Sequence, residues 1–133
     1  MWRYGEAFLF ATLLTNNVAV HAQGRREIYE LQERCGKRAE QIFEKDFPAD
    51  ARKGSEGFEN HYNVRLNRCF MLEENTIIST DQGKTYSTKL LTLIDINDNK
   101  IYGSFSPLNC DVRETKCHSE LEFRALIRPL MEE

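Results

Sequence analysis

The chain has 133 residues, 18 basic against 21 acidic, and a formal net charge of −3. The two signs are interleaved, so the clustered positive charge that replaces counterions along nucleic acid is missing. Past the first two dozen residues no apolar run approaches about 18 residues, which excludes a membrane-spanning helix there.

The chain opens MWRYGEAFLFATLLTNNVAVHAQG: one basic residue, Arg3, an apolar run from Ala7 to Leu14, then a polar stretch ending in Val20-His21-Ala22. This is the order of a secretory signal peptide, with small residues at the cleavage positions and a predicted cut after Ala22. The apolar run is too short to cross a bilayer, and no cysteine follows the cut to carry a lipid. Residues 1–22 are therefore expected to be a signal peptide and residues 23–133 a single domain, long enough to bury roughly two thirds of its unfolded surface.

Over residues 25–47, Ile28, Leu31, Cys35, Ala39, Ile42 and Phe43 fall within an arc of roughly 120°, predicting an amphipathic helix with Cys35 on its buried face. Pro48 ends it, and PADARKGSEG reads as a polar loop. The next stretch, FENHYNVRLNRCF (58–70), combines helical and strand spacing; its asparagines and the run CFML favour a strand through residues 58–72. Residues 87–96 and 100–105 flank Asn97-Asp98-Asn99 and predict a β-hairpin, followed by a short strand around Leu108 to Val112. Ser119-Glu120-Leu121-Glu122 is a capping box that opens a helix carrying Leu121, Ala125, Leu126 and Leu130, with Pro129 disturbing its last turn. The expected fold is α+β: an antiparallel sheet of three to four strands, with an N-terminal and a C-terminal helix packed on one of its faces.

Four cysteines, Cys35, Cys69, Cys110 and Cys117, follow the expected cut. An even number in a small exported chain reads as two disulfides formed in an oxidising compartment, periplasmic or secreted. Of three possible connectivities, the short spacing from Cys110 to Cys117 favours a local bridge, leaving Cys35 to pair with Cys69. The chain has no N-x-[ST] sequon, which fits a bacterial periplasm better than a eukaryotic secretory route.

Catalytic and metal signatures are sparse. After the cut only His61 and His118 remain as histidines, and G-x-S-x-G and H-E-x-x-H are both absent. Cys110 and Cys117-His118 are spaced too widely for haem attachment, and no zinc spacing joins these cysteines to His118 or His61. Asp95, Asn97 and Asn99 begin like a calcium loop, but Lys100 and Ser106 stand where its glycine and glutamate belong. No cofactor or metal is expected.

The dense polar stretch is the binding candidate. On a regular strand His61, Asn63, Arg65, Asn67 and Cys69 share one face, which a Cys35–Cys69 bridge would turn under the first helix. Either a bulge near Asn67 and Arg68 switches the parity, or His61, Asn63 and Arg65 line a polar groove with Arg65 as an anion anchor.

The pattern Y-x-N-H-Y-N-x-x-L-N-x-C-F, with Phe58 in place of its first tyrosine, precedes a hairpin of the form L-x-D-x-N-x-N-K-x-Y-G-x-F and an acidic C-terminal helix. From Cys35 to Glu133 this resembles a family of small exported bacterial proteins of unknown function. The resemblance implies a signal peptide and the cysteine framework, and carries no catalytic residue. The sequence thus points to an exported binding or inhibitor module for a protein, peptide or glycan of the cell envelope, with a basic secreted enzyme as one partner that its acidic balance would suit. The competing readings are a small hydrolase using His61 and a structural envelope component.

Overall fold

The computed structural model describes residues 15–53 and 55–133, with side chains from residue 24 onward. The apolar run of the expected signal peptide lies outside the described residues. The chain divides into two compact units, Met1–Glu30 and Leu31–Glu133. The second unit holds both disulfides and every described strand.

Helix α1 runs Thr15–Asp46. Within the second unit it buries Cys35, Ala39 and Phe43, which are four residues apart and therefore on one stripe. Pro48 has no N–H to continue the ladder, and the last turn closes with the Phe47 amide on the Phe43 carbonyl at 2.8 Å. Six strands then follow in sequence: β1 (Gly57–Asn63), β2 (Arg68–Asp81), β3 (Lys84–Asp95), β4 (Lys100–Ser106), β5 (Asn109–Val112) and β6 (Thr115–Lys116). They form one antiparallel meander in chain order. Helix α2 (Glu120–Met131) ends the chain.

The sheet has six strands where three to four were expected. Part of the difference lies in the polar stretch at 58–70, which is a hairpin rather than one strand: β1 and β2 reverse around Val64–Asn67, with Asn67 at a φ of 52°. This dissolves the parity conflict. Tyr62 stands opposite Cys69, and His61 stands opposite Phe70. His61 and Cys69 therefore lie on different faces, with neither a bulge nor a continuous polar row needed.

The two helices also pack on opposite faces of the sheet, not on one. Because β2 alternates, Cys69 and Met71 join Cys35, Ala39, Phe43, Tyr62 and Ile96 under α1. Phe70 and Leu72 join Leu91, Leu93, Val112 and the α2 residues Phe123, Ile127 and Leu130 on the other side. The bridges are Cys35–Cys69, tying α1 to β2, and Cys110–Cys117, tying β5 to the segment before α2. Gly103 in β4 lies so close to β5 and α2 that a Cβ there would stand 2.9 Å from the Asp111 carbonyl and 3.2 Å from the Phe123 ring.

At the start of α2 the Ser119 hydroxyl accepts the Glu122 amide at 3.1 Å, as the capping box requires. The return bond reaches one residue further back: the Glu122 carboxylate accepts the His118 amide at 2.8 Å. The buried stripe is rotated from the expected one, since Phe123 and Ile127 face the core while Leu121 is 80% exposed.

No sequence pattern assigned residues 73–86, yet they build the longest hairpin. β2 and β3 run on together past the ends of β1 and β4, and residues 77–87 are exposed throughout. Their turn, Gln82-Gly83, has positive φ at both positions (48° and 77°), the geometry of a type I′ turn that matches strand twist. Ile77, Ile78 and Tyr86 remain uncovered on this arm.

Candidate functional site

The four candidate binding residues are placed around the end of α2 and the first hairpin turn. Asn63 is fully buried. Its amide donates to the carbonyls of Pro129 and Leu130 at 3.0 and 3.2 Å, and its oxygen accepts the Leu66 amide at 2.9 Å. These carbonyls belong to the last turn of a helix, where no following residue supplies an amide. His61 Nε2 lies 2.9 Å from the Glu133 carbonyl, and Arg65 Nε lies 2.9 Å from the Glu133 carboxylate. Asn67 accepts the Tyr62 hydroxyl. The structure thus sets His61, Asn63 and Arg65 around the end of α2, where His61 Nε2, the Asn63 amide and Arg65 Nε are each engaged, and Asn67 Oδ1 holds the turn.

Next to this hairpin, Arg68 bridges the fully buried Asp95 and the exposed Asp98. Asp95 Oδ1 accepts the Asn97 amide at 2.9 Å, and Asn97 Oδ1 accepts the Cys69 amide at 2.7 Å. The residues that resembled a calcium loop therefore fold the β3–β4 turn onto the start of β2. Among the described residues no three acidic, histidine or cysteine groups are placed to hold a metal ion.

A different surface is built from residues no sequence motif marked. An open cleft of about 480 Å³ lies beside the base of the arm, lined by Ser55, Glu56, Glu59, Leu72, Glu74 and Thr76. Gly57 pairs with Glu74 and Glu59 with Leu72, so Glu59 and Glu74 point to the α2 side of the sheet as near neighbours. Glu74 is held by Lys89 at 3.1 Å and Arg124 at 3.2 Å. The same two cations hold Glu120, at 2.9 and 2.8 Å, closing a ring of four charges between β2, β3 and α2. Lys89, then Arg124, lowers the Glu120 pKa, and Glu120 in turn raises that of Arg124, which also feels Glu59. Glu56 folds its own loop, accepting the Lys53 and Ser55 amides at 3.0 Å each. Among the residues that line the cleft Glu56, Glu59 and Glu74 are acidic and none is basic, while Lys89 and Arg124 reach Glu74 from the ring beside it. The cleft keeps a negative balance.

On the other face of β2, Glu73 lies opposite Phe58, near the end of α1. Among the described residues its Oε1 is buried without a hydrogen-bond partner. Burial, then the charge of Asp46 and a bond to it, pushes the Glu73 pKa up to about 7.

The only trace of the cleft in the sequence is period-two spacing. Leu72, Glu74, Thr76 and Ile78 share one face of β2, and Glu120 and Arg124 are one helical turn apart. Nothing local announces that Lys89, on the neighbouring strand, completes the ring. Comparison of the chain with protein-family models, curated proteins and solved structures finds no match.

Proposed function

We propose that the chain is an exported binding module, periplasmic or secreted, that receives a basic segment of a partner protein in the acidic cleft. The observation that carries this reading is the cleft's charge balance together with its position. Its floor, Leu72-Glu74-Thr76, continues without a break into the exposed Ile78 of the arm. A cationic side chain would meet carboxylates at the base of the arm and apolar surface above it. That combination suits recognition of a charged segment better than turnover of a small substrate.

Two disulfides on one small unit support the exported setting. A hydrolase is the weaker reading, since every cysteine is in a disulfide and His61 Nε2 is engaged at the end of α2. We place the binding surface at the cleft rather than at His61, Asn63, Arg65 and Asn67 because the cleft's lining is acidic and meets the exposed apolar surface of the arm.

The test is binding of a labelled lysine-containing peptide, followed by anisotropy at rising salt. Binding should weaken as salt rises, and Glu59→Lys should reduce affinity about tenfold or more by reversing one of the cleft's charges. A glutamate peptide of the same length should not bind. Equal binding of the two peptides, or binding indifferent to Glu59→Lys, would remove the cleft from consideration.

A further inference from the structure

We infer that the outer edge of β2, beyond the end of β1, takes the partner as an added β-strand, with a basic side chain of that strand laid into the cleft; this rests on the proposal that the acidic cleft is the binding surface.

β1 stops at Gly57, opposite Glu74, while β2 continues to Asp81. From Asn75 onward the side of β2 away from β3 therefore has no strand beside it among the described residues. The two-residue turn closes on Asp81 and Lys84, so these two form the bonded pair, and Ser79 and Ile77 bond to β3 in alternation with it. Thr76, Ile78 and Thr80 must then direct their N–H and C=O groups outward. One contact confirms the parity: the Thr76 carbonyl is bonded from that side by the Ser55 hydroxyl at 3.1 Å. Among the described residues the amides and carbonyls of Ile78 and Thr80 have no such cover.

Exposed strand edges normally carry a protective device: a charge, a proline, a bulge or a covering loop. Thr76-Ile77-Ile78-Ser79-Thr80 has no charge and no proline, and its register with β3 is unbroken. An extended segment running antiparallel to β2 can form the missing ladder bonds over about four residues. A residue of that segment opposite Ile78 lies on the cleft's side of the sheet and meets apolar surface, 68% of Ile78 being exposed. The residue two positions along comes up beside Ser55, which already bonds the Thr76 carbonyl, so there the segment leaves the ladder and a lysine or arginine extends into the cleft toward Glu56, Glu59 and Glu74. The ligand so defined is an extended protein segment with an apolar and a basic side chain separated by one residue.

A second copy of this chain is a poor occupant. Its own edge segment has no basic residue, and antiparallel self-pairing centred on Ile78 would bring its Asp81 opposite Asn75, beside the carboxylates of the cleft.

The experiment uses a capped, labelled peptide of alternating valine and threonine with one lysine two positions from a valine, and the same peptide N-methylated at alternate residues. Both are titrated against the wild type, Thr80→Pro, Ser87→Pro and Glu59→Lys. Thr80→Pro deletes a donor on the proposed edge. Ser87→Pro deletes one on the opposite edge of the arm, and unchanged circular dichroism and melting show that both variants keep the fold. N-methylation and Thr80→Pro should each weaken binding about tenfold or more, and Ser87→Pro should not. If both leave binding intact while Glu59→Lys abolishes it, the cleft stands and strand addition is overturned. Absence of peptide binding overturns the inference, as does a wild-type dimer that Thr80→Pro converts to monomer.

Discussion

Asn63 offers the sharpest test of how the polar hairpin supports the fold. Replacing the fully buried Asn63 with alanine leaves the Leu66 amide without its acceptor and the Pro129 and Leu130 carbonyls without their donor. At about 1 kcal/mol for each lost bond the cost is roughly 3 kcal/mol, before any cavity term. Aspartate is nearly the same size, yet it should be worse at neutral pH. It keeps the acceptor for Leu66 but turns a carboxylate onto two carbonyls at the negative end of α2, for a total of about 4 kcal/mol or more. Repulsion of the charged form raises that carboxyl's pKa in the folded state, so part of the loss should be regained as the pH falls and the group can donate again. The measurement is urea unfolding of wild type, Asn63→Ala and Asn63→Asp with disulfides intact, at pH 7 and about pH 4, comparing midpoints at constant slope. If Asn63→Asp is the more stable variant at pH 7, or shows no recovery in acid, the helix-end account of this residue is wrong.

Glu73 gives stability an opposite pH dependence from that of a salt-bridged carboxylate. Its pKa is raised from 4.5 to about 7, so the folded chain holds this proton more tightly than the unfolded chain. The contribution is present below pH 4.5 and lost as the pH rises to about 7, and Glu73→Gln should flatten that decline by about 1–2 kcal/mol, allowing for partial exposure of the group. An unchanged pH profile of the unfolding midpoint would show that Asp46 and burial do not act on Glu73 as described. For the bridges, loops of 34 and 7 residues predict that paired Cys→Ser replacement costs about 4 kcal/mol at Cys35–Cys69 and about 2.5 kcal/mol at Cys110–Cys117. Chemical denaturation checks the order, and the reverse order would rule out loop entropy as the leading cause. Mass spectrometry of exported protein should show an N-terminus at Gln23, and retention of residues 1–22 would refute the signal peptide.

What the sequence made legible was mostly local. Cys35 on the buried stripe of α1, the Ser119 cap, the β3–β4 hairpin and both disulfide pairings depend on spacing over a few residues or on elimination among four cysteines. The layer order depends on where a strand turns back. A single unbroken strand through residues 58–72 and a hairpin reversing at Val64–Asn67 give the same composition but opposite partners for His61. The arm escaped notice for a related reason: an exposed strand made of threonine, serine and isoleucine has no polar and apolar alternation to betray it. The acidic cleft needed the register of β1 against β2 and the docking of α2, so no window of sequence held its outline.

The two disulfides close on opposite sides of the sheet, and β2, with β3 beside it, is the wall between the two clusters. Cys69 and Met71 face one hydrophobic cluster, while Phe70 and Leu72 face the other. Residues in different clusters have the sheet between them, so paired truncations such as Ala39→Gly with Ile127→Val should sum almost without interaction. Pairs that include Phe70 or Met71 should not, because a shift of the β2 backbone is felt on both sides at once. A chain built this way can drift in either cluster independently, provided β2 and β3 stay put.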